Sequence, residues 1–121
     1  FDFAGTDGRR YRDAYVAYAL WMVDRFEPHW LNIAIEMNLF YEECSSTWPA
    51  LVETEAAIYA AIKAEHPNLP VFPSFVLESL YGLDPDCTAS ASTCLEESAA
   101  IYEERYAALE GIQRDRFAIS T

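Results

Sequence analysis

From Trp30 to Asn38 the chain reads Trp-Leu-Asn-Ile-Ala-Ile-Glu-Met-Asn, just after a helix-ending His29 and Pro28. Leu31, Ile33, Ile35 and Met37 alternate with Asn32, Ala34, Glu36 and Asn38, which is the two-residue period of a strand whose faces do different jobs. One face is bulky and apolar. The other is small or polar, and more polar toward its end, as expected where a buried strand leaves the core and offers its last side chains to a pocket. The pattern predicts a strand over 30–38 and makes Glu36 the leading candidate for chemistry.

The flanking segments have helical spacing. Phe1–Phe3 reads as the end of a strand, followed by a turn at Gly5 and Asp7-Gly8. A helix is predicted from Arg10 to Phe26, with Val16, Ala19, Leu20, Val23 and Phe26 on its apolar stripe and Pro28 as its stop. A connection from Leu39 to Ser46 leads to a second helix over Thr47–Glu65, capped by Ser46 or Thr47, with Pro49 in its first turn and Leu51, Ile58 and Ile62 on its buried stripe. Val71–Glu78 reads as a second strand, although Pro73 removes a ladder hydrogen bond if that strand is central. After a polar connection, Tyr81–Ser92, the capping box Thr93-Cys94-Leu95-Glu96 opens a third helix. Its stripe is Leu95, Tyr102, Tyr106 and Leu109, and it ends near Gly111. Arg116–Thr121 begins a third strand.

Strands alternating with crossover helices must be parallel, so the fold class is α/β. Glu36, Glu78 and Ser120 are equally spaced along the chain, each late in its strand. Connections leaving the strands are long and those returning from the helices short, the pattern of a barrel with its site at the carboxyl rim. The expectation is a partial (β/α)8 TIM barrel, with residues 1–121 forming a single incomplete domain, since a whole barrel takes about 250 residues. The competing architecture is an open doubly wound sheet. Against it, the chain has only 4 glycines, and none makes a GxGxxG turn or a P-loop.

Composition narrows the partners. At 52% hydrophobic the chain has the material for a core, and its net charge of -12 repels nucleic acid and anionic membranes alike. No apolar run approaches the ~20 residues of a membrane span. The chain begins at Phe1, so the lack of a signal peptide gives no address. His29 and His66 are far apart and no ligand-spaced cluster accompanies them, which argues against a metal, and nothing in the sequence calls for a cofactor.

Three stretches together resemble a known family: Trp30–Phe40, then Ile62-Lys63-Ala64-Glu65-His66-Pro67, then Asp115-Arg116-Phe117-Ala118-Ile119-Ser120-Thr121. They look like the middle of a clan A glycoside hydrolase, nearest the arabinogalactan endo-β-1,4-galactanase-like branch. The resemblance implies a TIM barrel in which Phe1–Phe3 ends the third strand and Ser120-Thr121 lies in the sixth. It also implies that Glu36 is the acid/base at the end of the fourth strand, with the nucleophile on the seventh, beyond Thr121. In that family an Asn precedes the acid/base. Here the position is Ile35, and Asn38 replaces that amide only in part.

A retaining glycosidase sets two carboxylates ~5–5.5 Å apart. Glu78 is an alternative second carboxylate or a substrate hydrogen-bonding group, while either Glu can instead cap a helix or pair with an Arg. Asn38, Phe40, Trp48 and Tyr81 are candidates to hold or stack on sugar rings, and Tyr41 belongs with them; for each aromatic the alternative is ordinary packing. Cys87 and Cys94 are positioned to clip the Tyr81–Ser92 connection, which would suit a secreted or periplasmic protein, with Cys44 left over; free thiols are the alternative. Two functions follow. One is a glycosidase barrel fragment that cuts a polysaccharide or oligosaccharide, incomplete and inactive alone. The other is a non-catalytic carbohydrate-binding or structural barrel fragment that pairs with a partner chain. Unpaired sheet edges would favour a homodimer or aggregation in either case.

Overall fold

The computed structural model describes residues 5–82 and 91–120, with residues 91–98 described as backbone only. The elements run in order α1 (Thr6–Phe26), β1 (Leu31–Ala34), α2 (Leu39–Glu43), a 3-10 turn (Ser45–Thr47), α3 (Trp48–Glu65), β2 (Val71–Val76), α4 (Leu77–Tyr81), α5 (Ala91–Ala108) and β3 (Ala118–Ser120). The three strands form a parallel sheet in the order β1-β2-β3, so the chain is α/β, as the alternation of periods predicts. The expected strand at Phe1–Phe3 and the clip between Cys87 and Cys94 lie outside the described residues and side chains. Cys44 is exposed and free.

Helices cover one face of the sheet. Ala19, Ile33, Ile58, Ile62 and Val71 form one buried cluster between α1, α3 and the start of the strands. Met37, Trp48, Phe75, Leu80, Leu109 and Ile112 form a second at the other end. Val71, Pro73 and Phe75 alternate along β2 and all are buried. The other face of β2 carries Phe72, Ser74 and Val76.

Several boundaries move, each for a physical reason. α1 starts at Thr6, straight after Gly5, so Gly8 is a buried helical residue and no turn forms at Asp7-Gly8. Phe26, expected on the buried stripe, is 61% exposed beside the left-handed Glu27 that ends the helix. α3 begins at Trp48, with Thr47 in the cap position, but the Thr47 hydroxyl donates to the Cys44 carbonyl instead of capping. α5 already runs through Thr93, so the capping-box sequence lies inside that helix, which ends at Ala108.

Pro73 sits in the central strand, yet little is lost there. β1 pairs with Val71–Pro73 through an irregular register between Asn32 and Ala34, whereas β3 pairs only with Ser74–Val76. The proline marks the changeover between the two ladders, where its missing N–H falls beside the irregularity.

Candidate functional site

The largest departure from expectation shapes the site. β1 stops at Ala34, and residues 35–38 form a turn instead of extending the strand to Asn38. Asn32 begins the change, its side-chain oxygen accepting the Ala34 N–H at 3.1 Å in a local bond that competes with the ladder. Ile35 then points outward, 77% exposed, while Met37 turns inward at 2%. The even alternation of the sequence breaks between those two residues.

Glu36 occupies the bend with φ of 56°, the left-handed region that a residue with a Cβ enters at a cost of ~1 kcal/mol. Two contacts from β2 hold it there. The Glu36 N–H donates to the Ser74 hydroxyl at 3.3 Å, and the Met37 N–H donates to the Ser74 carbonyl at 3.0 Å. Among the described residues none hydrogen-bonds or ion-pairs with the Glu36 carboxylate, so neither the capping nor the Arg-pairing alternative is taken up. The turn sets the Glu36 side chain at the carboxyl end of a parallel strand, on a backbone conformation that costs energy. Replacing Glu36 by glycine is expected to stabilise the fold by ~0.5–1 kcal/mol while deleting the carboxylate, and Glu36→Ala should give none of that gain. Urea denaturation of the two variants checks this, and a loss of stability in Glu36→Gly would contradict the strain.

Asn38 is 3% exposed and fully engaged. Its Oδ1 accepts the Val76 N–H at 2.8 Å, and its amide donates to the Val76 carbonyl at 3.0 Å and the Ser79 hydroxyl at 2.8 Å. This side chain ties the turn after β1 to the end of β2. Asn38→Ala orphans both Val76 backbone groups and should cost ~2 kcal/mol by chemical denaturation, where an effect under ~0.5 kcal/mol would show the bridge to be replaceable.

The remaining candidates scatter. Trp48 is 7% exposed, packed in the second core cluster, with Tyr41 meeting its ring edge-on at 5.7 Å. Phe40, 44% exposed, lines a cavity of about 360 Å³ between α1, β1 and α3. Tyr81 is 39% exposed and stacks on Tyr102 at 4.7 Å. Glu78 lies beyond the end of β2, exposed in the first turn of α4, and no hydrogen bond or ion pair among the described residues joins it to Glu36. The equal spacing of Glu36, Glu78 and Ser120 therefore gives three different settings: a turn, a helix and a strand. Ser120 pairs with Val76, and its hydroxyl donates to the Phe75 carbonyl.

The structure adds a network that the sequence did not indicate. Arg105 on α5 lies 3.0 Å from the Glu42 carboxylate and donates to the Ser79 carbonyl, while the Ser79 hydroxyl donates to Glu42. Together with Asn38 it joins the loops after β1 and β2. Its members come from three separated segments, so no local spacing could reveal it. Ser74 did leave a trace, as the one small polar residue inside Val71–Val76.

A second cleft, of about 570 Å³, lies at the opposite end of the sheet between the Val23–His29 and His66–Pro70 segments. It holds His66 and Asp24, with Nε2 to Oδ1 at 3.4 Å but no hydrogen bond. That is the amino end of a parallel sheet, whereas open α/β sheets bind ligands at the carboxyl ends of their strands, so Glu36 and not the larger cleft marks the candidate site. No cluster of metal-ligating side chains occurs among the described residues, and no helix there is long and apolar enough to cross a membrane. Comparison with protein families, curated proteins and solved structures returned no match for this chain.

Proposed function

We propose that the chain is a segment of a (β/α)8 barrel of the glycoside hydrolase type, with Glu36 as its acid/base. The observation that carries this reading is the Glu36 turn, a carboxylate held out at the carboxyl end of a parallel strand by Ser74 in a conformation that costs energy. On the sheet face that carries Ser74, Ala118 pairs with Ser74 and Ser120 with Val76, so small side chains follow one another from β2 to β3 beyond the Glu36 turn. In a retaining mechanism Glu36 protonates the leaving oxygen and later takes the proton of the attacking water, while a second carboxylate forms the glycosyl intermediate. The family resemblance gives Glu78 no catalytic role, so the reading assigns the nucleophile to a strand outside these residues. Asn38 supports the turn, and Phe40 and Tyr81 remain the aromatic surfaces available to sugar.

A second reading, a sugar-holding or structural barrel segment that pairs with a partner chain, draws on the two outer strands. Neither β1 nor β3 has a second neighbour among the described residues. Titrating the chain with β-1,4-linked galacto-oligosaccharides while following backbone amides by NMR tests both readings. Shifts confined to 34–38, 74–76 and 118–120, kept in Glu36→Gln, are expected, with no cleavage products. No response at millimolar sugar would sink the glycosidase and sugar-holding readings and leave only a structural segment. In a complete barrel Glu36→Gln separates them, lowering turnover about 10²–10⁴-fold if Glu36 is the acid/base.

A further inference from the structure

The outer face of α1 carries large side chains that neither the core nor the candidate site uses. Tyr18 is 59% exposed and Trp21 55%, their rings stacked at 6.0 Å, and Phe26 meets Trp21 edge-on. The inward face of the same helix is accounted for by Ala19 and Val23 in the core.

Five exposed residues of this outer face, Arg10, Ala14, Ala17, Trp21 and Asp24, follow one another in alternating steps of four and three. That is the spacing of a seam along which two helices pack. Read along the seam they are cation, small, small, large and anion. This order is complementary to itself only when reversed. A two-fold axis at Ala17 sets Ala17 against its own copy, Trp21 against the space above Ala14, and Arg10 against Asp24, each of the last two pairings occurring twice. A parallel pair would set Arg10 on Arg10 and Trp21 on Trp21.

Charge placement gives an independent argument. Of the 8 basic residues in the chain, Arg9, Arg10, Arg12 and Arg25 are all on α1, and the first three lie near its N-terminus. The helix dipole is positive there and disfavours cations. Arg12 is paired with Asp13 and Arg9 donates to Thr6, whereas no described residue hydrogen-bonds or ion-pairs with the Arg10 guanidinium on the seam. A carboxylate from outside relieves that. Under the two-fold the Asp24 carboxylate of the other copy falls opposite Arg10; it is 68% exposed, with only His66 beside it at 3.4 Å.

We propose that α1 is a dimer interface, joining two copies of this chain antiparallel about a two-fold axis at Ala17. The interface uses neither Glu36 nor the sheet edges, so it stands apart from the sugar reading. The net charge of -12 on each copy opposes association, which makes the dimer a weak one.

Sedimentation equilibrium of the full chain tests this. Ala17→Glu puts two carboxylates together at the axis, on an exposed position where glutamate suits a helix, and should give a monomer with unchanged circular dichroism and Tm. Arg10→Glu and Asp24→Arg should each weaken the dimer about tenfold or more, and the double exchange should restore it to within about threefold. A monomer at about 200 μM overturns the proposal. So does a dimer that survives Ala17→Glu, as one built on the sheet edges would, or a double exchange that fails to rescue.

Discussion

Replacing Asp115 by alanine is expected to destabilise the protein by about 3–5 kcal/mol. Asp115 precedes β3, and its carboxylate gathers three donors: Tyr59 Oη at 2.8 Å, Lys63 Nζ at 2.9 Å and the Val71 N–H at 2.9 Å. The Asp115 N–H returns a bond to the Val71 carbonyl at 2.9 Å. One side chain thus pins the approach to β3 against both α3 and the first residue of β2. Its removal leaves the N–H of Val71, a residue that is 0% exposed, without a partner, and leaves the Lys63 ammonium with the Leu69 carbonyl alone. Burial alone would push the Asp115 carboxyl up, but Lys63, the Val71 N–H and Tyr59 more than offset it and hold the group below its ordinary 3.8. Its contribution is therefore complete above pH ~4 and lost as the solution is acidified through the lowered value. Asp115→Asn, which keeps an acceptor but not the charge, should cost about half as much. Urea unfolding of both variants followed by tryptophan fluorescence decides, and equal costs would mean that the charge is irrelevant.

The sequence disclosed the alternation of strand and helix because each helix buries a stripe and each strand a face, and those periods survive in any arrangement. The parallel sheet follows from that alone. It did not disclose where β1 ends. Ile35 and Met37 continue the alternation perfectly, and nothing local says that the first goes to solvent while the second enters the core with Phe75 and Trp48. That outcome depends on Ser74 and Val76, which lie far along the chain. Asn38 was noticed for its polarity near Glu36 and proves to be a structural bridge. Asp115, Glu42 and Arg105 have no periodic signal of their own and are recruited only by tertiary contact. One such residue did leave a local signal. Glu55 falls at helical spacing among Leu51, Ile58 and Ile62, on the stripe assigned to the core, and a carboxylate on an apolar stripe is worth singling out.

Glu55 leads to the second large effect: the protein is expected to be more stable near pH 5 than near pH 8. Glu55 is 3% exposed, its Oε2 accepts the Gln113 N–H at 3.1 Å, and its Oε1 is buried with no partner among the described residues. Burial pushes its pKa from 4.5 up to about 7, against the opposing pull of the Gln113 N–H and the Arg114 guanidinium. The folded state therefore holds a proton on Glu55 through a range in which the unfolded chain has released it. Stability from this group is fully present below pH ~4.5, declines as the pH rises toward 7, and is gone above it, a change of at most ~3 kcal/mol. The self-repulsion of a chain carrying -12 grows in the same direction, while the loss of Asp115 is confined to stronger acid. The optimum accordingly lies on the acid side of neutrality. Glu55→Gln isolates the cause, because its side-chain oxygen still accepts from Gln113 and no charge is ever buried. The variant should match the parent near pH 4.5 and exceed it by about 2–3 kcal/mol near pH 8. Urea midpoints for the pair across that range measure it. Parallel profiles would assign the slope to general charge repulsion and show that Glu55 ionises in the folded state as readily as in the unfolded one.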